Sequence, residues 1–397
     1  MKNIVISTDV GFNGIKVIVG TEEKELFNFH TDSDVFEVTN LTSVGSGTNL
    51  EDTIYVKEES SNTKKTFVVG KAAKEYLTTP DAKKQVEEDT FYTIGATEEE
   101  GYKRFFSASF KKLHLAVIYR AVNTLAHMKD YSDILSSDKY KLHIKVELPH
   151  SIYKDSSYLS VISGNIKQTD ERLMFKTHLD STYNKLPQLI NDAEISFMSQ
   201  VIAAVICELD SNEDLNTPVF ALDCGGNTIG IAMIENTMQV ADGATSNRDY
   251  AVNNINAAAV QQIMELTDNE LELDVNQVEE IAMSKGADSY KYWSDKQDKS
   301  VSINIKDVYA KAVVDTAKKL AAHCFDRYKR DIGRCNTILI AGGTGEIYYK
   351  TLKKEFEKKL DAAIILAEGE VTGTKNGSIF AVCAGGFKLA AMEIQEE

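Results

Sequence analysis

Three short apolar runs in this chain end in glycine-rich turns. Residues 219–222 are apolar, Asp223 closes the run, and Gly225-Gly226-Asn227-Thr228 follow before apolar residues resume at Ile229. This pattern predicts a buried strand, a tight turn and a returning strand. Residues 2–20, KNIVISTDVGFNGIKVIVG, repeat the design: Asp9 ends the run, Gly11 and Gly14 form the turn, and Lys16 follows. Residues 337–345, TILIAGGTG, predict a strand running straight into Gly342-Gly343-Thr344-Gly345.

Helical spacing dominates elsewhere. Phe106, Phe110, Leu113, Val117, Ala121 and Leu125 predict an amphipathic helix over 104–129. Residues 190–209 read as one helix with an apolar C-terminal half, interrupted by Glu194 and by Gln200 just ahead of the apolar run, and 305–328 as a long helix. Residues 377–392 form a small-residue helix whose Gly385-Gly386 permits close packing. Residues 141–148 alternate like a strand and stop at Pro149, and 239–243 predict another strand and turn. Residues 28–103 are polar and irregular, with strand candidates at 53–56 and 66–69 and a short helix at 71–77. A second charged stretch, about 248–305, holds helical candidates at 275–284 and around the lone Trp293. Both stretches read as peripheral subdomains.

Composition narrows the class. A chain of 397 residues, 43% hydrophobic and 26% charged, is an ordinary globular protein of two or more domains. Sixty acidic against 44 basic residues give a formal charge of −16, which argues against direct nucleic-acid binding and favours a basic protein partner. The five cysteines form no C-x-x-C pair, so buried thiols in a reducing cytoplasm are expected. No apolar run suggests a membrane span or a signal peptide, so no membrane partner is expected.

The chemistry lies in the turns. Glycines let backbone N–H groups converge on an anion without interference from Cβ. An aspartate beside such a turn would repel phosphate unless a cation stood between them, so Asp9 and Asp223 point to a magnesium nucleotide. Lys16 would add a point charge; the plainer alternative is a pair of hairpins with an exposed lysine. Gln200 enters an apolar run and must be satisfied, so it either holds a water or lies on an exposed face. His114 and His127 lack metal-ligand spacing, and Arg248 with Asp249 reads as an exposed charge pair.

D-x-G-x(4)-K, D-x-G-G-x-T and strand-GGTG, in this order and separated by helices, resemble the actin / sugar-kinase / DnaK-type ATPase superfamily over nearly the whole chain. Within it, the length and short C-terminal helix are similar to the bacterial actin-like segregation proteins, the ParM and Alp group. The resemblance implies an α/β, actin-like fold: two similar domains, each with a smaller subdomain, and nucleotide in the cleft between them. Domain I would be 1–210 with its subdomain at 28–103, completed by helix 371–397; domain II would be 211–370 with its subdomain at 248–305. Asp9, Gly11, Phe12, Asn13 and Lys16 match the first phosphate loop; Asp223, Gly225, Gly226, Asn227 and Thr228 match the second. Gly342, Gly343 and Thr344 match the adenosine-side loop, and Glu279 the ribose-contacting helix, where Ala282 stands near the expected lysine. That departure leaves ATP and GTP both open. Gln200 falls where relatives place the residue that orients water, with Glu194 as its rival.

What the resemblance implies is a Mg2+-dependent nucleoside triphosphatase, with Asp9 and Asp223 holding the metal mainly through waters. Its subunits would assemble head to tail and drive plasmid or DNA segregation through a small DNA-binding adaptor. A small-molecule kinase and a scaffold with little turnover are the competing expectations.

Overall fold

The computed structural model describes residues 1–11, 14–38, 53–60, 63–70, 72–73, 91–92, 104–167, 172–209, 218–226, 228–235, 245–247, 249–284 and 288–396. The chain forms two compact units, Met1–Cys207 with Gly369–Glu397, and Glu208–Glu368.

In chain order the first unit holds β1 (Lys2–Val10), β2 (Ile15–Gly20), β3 (Glu25–Thr31), β4 (Val35–Glu37), β5 (Ile54–Glu59), β6 (Lys64–Val69) and β7 (Phe91–Tyr92). Helix α1 (Ala108–Ala126), β8 (Tyr140–Leu148), α2 (His150–Tyr153), α3 (Ser156–Lys167) and β9 (Leu173–Lys176) follow. Then come α4 (Gln188–Asn191), β10 (Glu194–Ser199) and α5 (Gln200–Leu209). The second unit holds β11 (Val219–Cys224), β12 (Ile229–Ile234), β13 (Thr245–Asn247), α6 (Val252–Leu266), α7 (Val275–Met283), β14 (Ser289–Ser294) and β15 (Lys299–Asn304). It closes with α8 (Ile305–Ile332), β16 (Thr337–Ala341), α9 (Gly343–Glu357) and β17 (Ala363–Leu366). The chain returns to the first unit through β18 (Glu370–Val371), β19 (Thr374–Lys375) and α10 (Ala381–Glu396).

The main sheet of the first unit has the order β10-β8-β1-β2-β3. The β1–β2 hairpin is antiparallel and sets Asp9 opposite Lys16, whereas β1, β8 and β10 run parallel. Alternation along β1 gives the sheet two different faces. Ile4 and Ile6 join the hydrophobic cluster that takes in Phe110, Leu113, Val117, Ala121 and Leu125 of α1. Phe106 does not join it: Ser107 caps the helix by accepting from the Phe110 N–H, so Phe106 falls before the first turn and is 45% exposed.

The other face of β1 and β8 carries Ser7, Asp9, Lys145 and Glu147, all buried. Such polar groups need partners, and α10 supplies those of Ser7 and Lys145. Lys145 Nζ lies 2.8 Å from both carboxylate oxygens of Glu393. Close approach of the helix depends on its glycines, since a Cβ on Gly385 would overlap the Ala203 backbone and one on Gly386 would overlap Glu147 Oε1. Residues 378–396 are long and apolar enough to cross a membrane by length and composition, which the sequence reading did not anticipate; 56% of that window is buried inside the protein.

Residues 190–209 are not one helix. Glu194–Ser199 is a strand, and the helix begins at Gln200. The apolar residues Ile195 and Phe197 alternate with polar ones, and the segment is held by its parallel pairing to β8. A smaller sheet, β7-β4-β6-β5-β9, occupies part of the 28–103 stretch. Its limits differ from the expected ones: residues 28–31 belong to β3 of the main sheet, and Leu173–Lys176 joins from beyond residue 103. The helix expected over 71–77 lies, apart from 72–73, outside the described residues.

The second unit repeats the design with the order β13-β12-β11-β16-β17. Here β11–β12 is an antiparallel hairpin and β11, β16 and β17 run parallel. Helices α6, α7, α8 and α9 share one hydrophobic cluster with this sheet, to which the 248–305 stretch contributes Val252, Ile255, Ala259, Ile263 and Val278. Trp293 sits in β14 of a two-stranded hairpin, not in a helix, because Tyr290, Tyr292 and Trp293 favour a pleated strand. The strand and turn expected at 239–243 lie outside the described residues, as does Arg248; Asp249 is exposed. All five cysteines are free and buried.

The two glycine environments make a paired test. Gly385→Ala should destabilise the chain by about 1–3 kcal/mol, because backbone stands where its Cβ must go. Gly164→Ala, inside α3 with nothing within 4 Å of the added Cβ, should stabilise it by about 0.5–1 kcal/mol. Denaturant midpoints that move the same way for both would refute this account of the α10 packing.

Candidate functional site

Asp9 lies near the carboxyl end of β1 and is only 4% exposed. Its Oδ2 receives Lys16 Nζ at 3.0 Å, and its Oδ1 receives Gln200 Nε2 at 2.7 Å. A buried carboxylate is tolerated when a cation and a hydrogen bond meet it, and here each oxygen has one partner. Lys16 arrives by hairpin register, and Gln200 as the first residue of α5 after β10. Between β1 and β2 the Gly11 N–H donates to the Gly14 carbonyl at 3.1 Å, and a Cβ on Gly11 would lie 2.8 Å from that oxygen. Phe12 and Asn13 lie outside the described residues.

Glu194 is placed elsewhere. It begins β10, roughly 17 Å along the strand from the Gln200 end. Its half-exposed carboxylate pairs with Lys141 Nζ at 2.7 Å and His143 Nδ1 at 3.2 Å, and the lysine hydrogen bond holds its carboxyl below the usual range. Of the two residues that the sequence left as rivals, the structure brings Gln200 to Asp9 and leaves Glu194 in a surface ion pair.

The second unit brings together two motifs far apart in sequence. Asp223 is paired across the parallel β11–β16 ladder with Ala341, so Gly342 emerges beside it. Gly342 has φ of +84°, and a Cβ there would overlap the Cys224 carbonyl and lie 3.2 Å from Asp223 Oδ1. The Thr344 hydroxyl donates to the Gly225 carbonyl at 2.9 Å, tying the start of α9 to the Asp223 turn. Gly225 N–H donates to the Thr228 carbonyl at 2.9 Å, and the Gly226 carbonyl accepts from Asn253 N–H at 3.2 Å. Asn227 lies outside the described residues. Gly343 and Thr344 open α9, where unpaired helix amides favour an anion. Glu279, on α7, accepts from Asn256 Nδ2 at 2.9 Å, and burial, helped by the Glu279 charge, pushes the Tyr309 phenol up to about 12.

Glu147 was not singled out from sequence. It is fully buried, in register with Asp9 on the neighbouring strand. Ser7 Oγ lies 2.9 Å from Glu147 Oε1 and 2.7 Å from the Cys383 carbonyl oxygen. The serine has one proton and the carbonyl can only accept, so both contacts are satisfied together when Glu147 carries a proton. Burial, helped by the Asp9 charge, pushes the Glu147 carboxyl well above its ordinary range. The available sequence signal was a glutamate two residues before Pro149 in an otherwise closing strand.

Each turn thus sets one strand-end carboxylate beside glycine backbone. Among the described residues no group of three or more His, Cys, Asp or Glu side chains could hold a metal ion. One or two carboxylates together with substrate phosphates is how Mg2+ is commonly held, so the donor set fits a metal that arrives with a nucleotide.

No protein-family model matches the sequence, and no curated protein matches it. Among solved structures, the archaeal actin homolog Ta0583 is similar, with a TM-score of 0.63, 12% identity, and 98% of this chain and 99% of that chain covered. A 15-stranded ParM filament from Clostridium botulinum gives a TM-score of 0.61 at 16% identity, covering 99% of this chain and 100% of that one. ParM of Bacillus thuringiensis with ATP gives 0.58 at 14% identity, with 99% of both chains covered. The fold defined by these strands and turns is actin-like. ParM proteins and the archaeal homolog share that fold with this chain across nearly its whole length.

The state of Glu147 has a measurable consequence. Its folded carboxyl keeps a proton that the unfolded chain releases above about pH 4.5, so stability falls as pH rises through that window. Glu147→Gln has no proton to lose and should melt above the unsubstituted chain at pH 8. The gap should close toward pH 4, at up to about 1.4 kcal/mol per pH unit. A gap independent of pH in thermal melts would rule out the protonated carboxyl.

Proposed function

We propose that the chain is a Mg2+-dependent nucleoside triphosphatase whose subunits polymerise, with assembly coupled to hydrolysis of ATP or GTP. The observation that carries this reading is the Asp9 carboxylate, held between a lysine suited to phosphate and a glutamine suited to water, within an actin-like fold. Bound Mg2+ would supply charge neutralisation for the phosphate oxygens, with Asp9 and Asp223 holding its water shell. Lys16, Gly11 and the Gly225–Thr228 turn bind phosphate oxygens, and the Gly342–Thr344 turn takes the nucleoside side. Gln200 orients the attacking water; an amide is too weak a base to deprotonate it, so catalysis rests on positioning and electrostatics.

The ParM filament neighbour supports self-association as the output, through head-to-tail contacts that do not close into a ring. The net charge of −16 suits a role in plasmid or DNA segregation in which a basic adaptor, not this chain, touches DNA in the cytoplasm.

Light scattering and phosphate release, followed together after adding Mg2+ with ATP or with GTP, test this. Scattering should rise only with triphosphate and decay as phosphate appears, and the better nucleotide identifies the base preference. Gln200→Ala should slow phosphate release roughly 100-fold, in line with losing a positioning group, while Glu194→Ala leaves it unchanged. Release without scattering, accelerated by a small-molecule acceptor, would replace this reading with a kinase.

A further inference from the structure

Three parallel strands lie side by side in the order β10-β8-β1, and each ends next to a polar side chain. Asp9 lies next to the end of β1, Gln200 follows β10, and the middle strand β8 runs through Pro149 into His150. Carboxyl ends of parallel strands are where open α/β sheets place their ligands. Asp9 and Gln200 are joined directly. His150 reaches the same corner by another route: its Nδ1 lies 3.0 Å from the hydroxyl of Ser199, the residue immediately before Gln200.

Ser199 is fully buried and ends β10 opposite Leu148, so its hydroxyl must find its partner inside the protein. His150 provides that partner from a fixed platform. The Pro149 carbonyl accepts from the Ile152 N–H at 2.9 Å and from the Tyr153 N–H at 3.0 Å, locking the turn from which the imidazole projects. Among the described residues the His150 Nε2 is buried without a hydrogen-bond partner, and the ring's hydrogen bond is the one to Ser199. Burial, with the Lys154 charge nearby, keeps the imidazole pKa below its ordinary value and the ring neutral near pH 7.

We propose that His150 is a positioning residue for hydrolysis: by holding Ser199 it fixes the β10–α5 junction, and with it the Gln200 side chain that orients the attacking water. This rests on the hydrolytic reading of Gln200 given above. It assigns to β8, which otherwise contributes no group to the reaction, the task of setting where α5 begins. A glutamine displaced by about 1 Å at the head of its helix would still meet nucleotide but hold water poorly.

The test uses the full chain and compares phosphate release with nucleotide affinity, the latter measured by titration with a fluorescent non-hydrolysable triphosphate. His150→Ala and Ser199→Ala should each lower kcat roughly 10- to 100-fold while the affinity stays within about 3-fold. His150→Asn places an amide where Nδ1 stood and should recover most of the rate. The double variant should be no slower than the slower single one, since both remove the same contact. If Gln200→Ala slows release and His150→Ala does not, the inference is wrong and the hydrolytic reading stands. If Gln200→Ala has no effect, the hydrolytic reading itself falls. Equal losses of affinity and kcat in His150→Ala and His150→Asn, with lowered melting temperatures, would show a merely structural histidine and overturn the proposal. Should His150→Ala fail to fold, Ser199→Ala and His150→Asn decide alone: full activity in the first, or a folded but slow protein in the second, refutes it.

Discussion

A carboxylate that is 4% exposed has to be neutralised, and the way Asp9 is neutralised organises the first unit. Its two oxygens draw in a lysine from across a hairpin and a glutamine from the helix that follows the strand beyond its neighbour. Neither arrives by chance of sequence proximity alone. Lys16 needs the β1–β2 register, which the Gly11–Gly14 turn sets, and Gln200 needs the strand order that places β8 between β10 and β1. One charge therefore ties the turn, the sheet order and the head of a helix into a single geometric condition.

The same demand shapes the packing beneath it. Burying Ser7, Lys145 and Glu147 beside Asp9 would be prohibitive under an apolar helix, so α10 meets them with a carboxylate, a backbone carbonyl and two glycines. Glu147 resolves its own burial differently, by keeping its proton, which avoids a second negative charge next to Asp9. Lys145 is balanced by Glu393 instead. Each group has its charge cancelled locally, which is why a helix as apolar as α10 can lie on a polar sheet face.

Much of this was legible in the sequence, for identifiable reasons. The Asp9 and Asp223 hairpins and the strand before Gly342 are written in residues whose backbone preferences are strong, and the structure forms these strands, though Gly343–Gly345 open a helix and not a longer turn. Residues 190–209 were misread because the period-two signal of EISFMS is short and joins a truly helical run without a break. The error had a cost: a single helix would place Glu194 and Gln200 within two turns, as plausible rivals, whereas a strand carries Glu194 far from Asp9. Trp293 failed similarly, its hairpin being held by cross-strand pairing that no local window contains. His150 and Glu147 could not be found from spacing, because their roles depend on which strands are neighbours.

The two sheets share one plan, a hairpin with two further parallel strands on the aspartate's strand, yet their corners are equipped differently. Asp9 faces Lys16 across its hairpin, but Asp223 faces Gly230. After the strand parallel to β1 come Pro149 and His150; after the strand parallel to β11 come Gly342, Gly343 and Thr344. A proline and an imidazole fill space and hold a neighbour, while glycines let other groups come close to the backbone. The first unit is thus built to fix side chains and the second to permit close backbone approach.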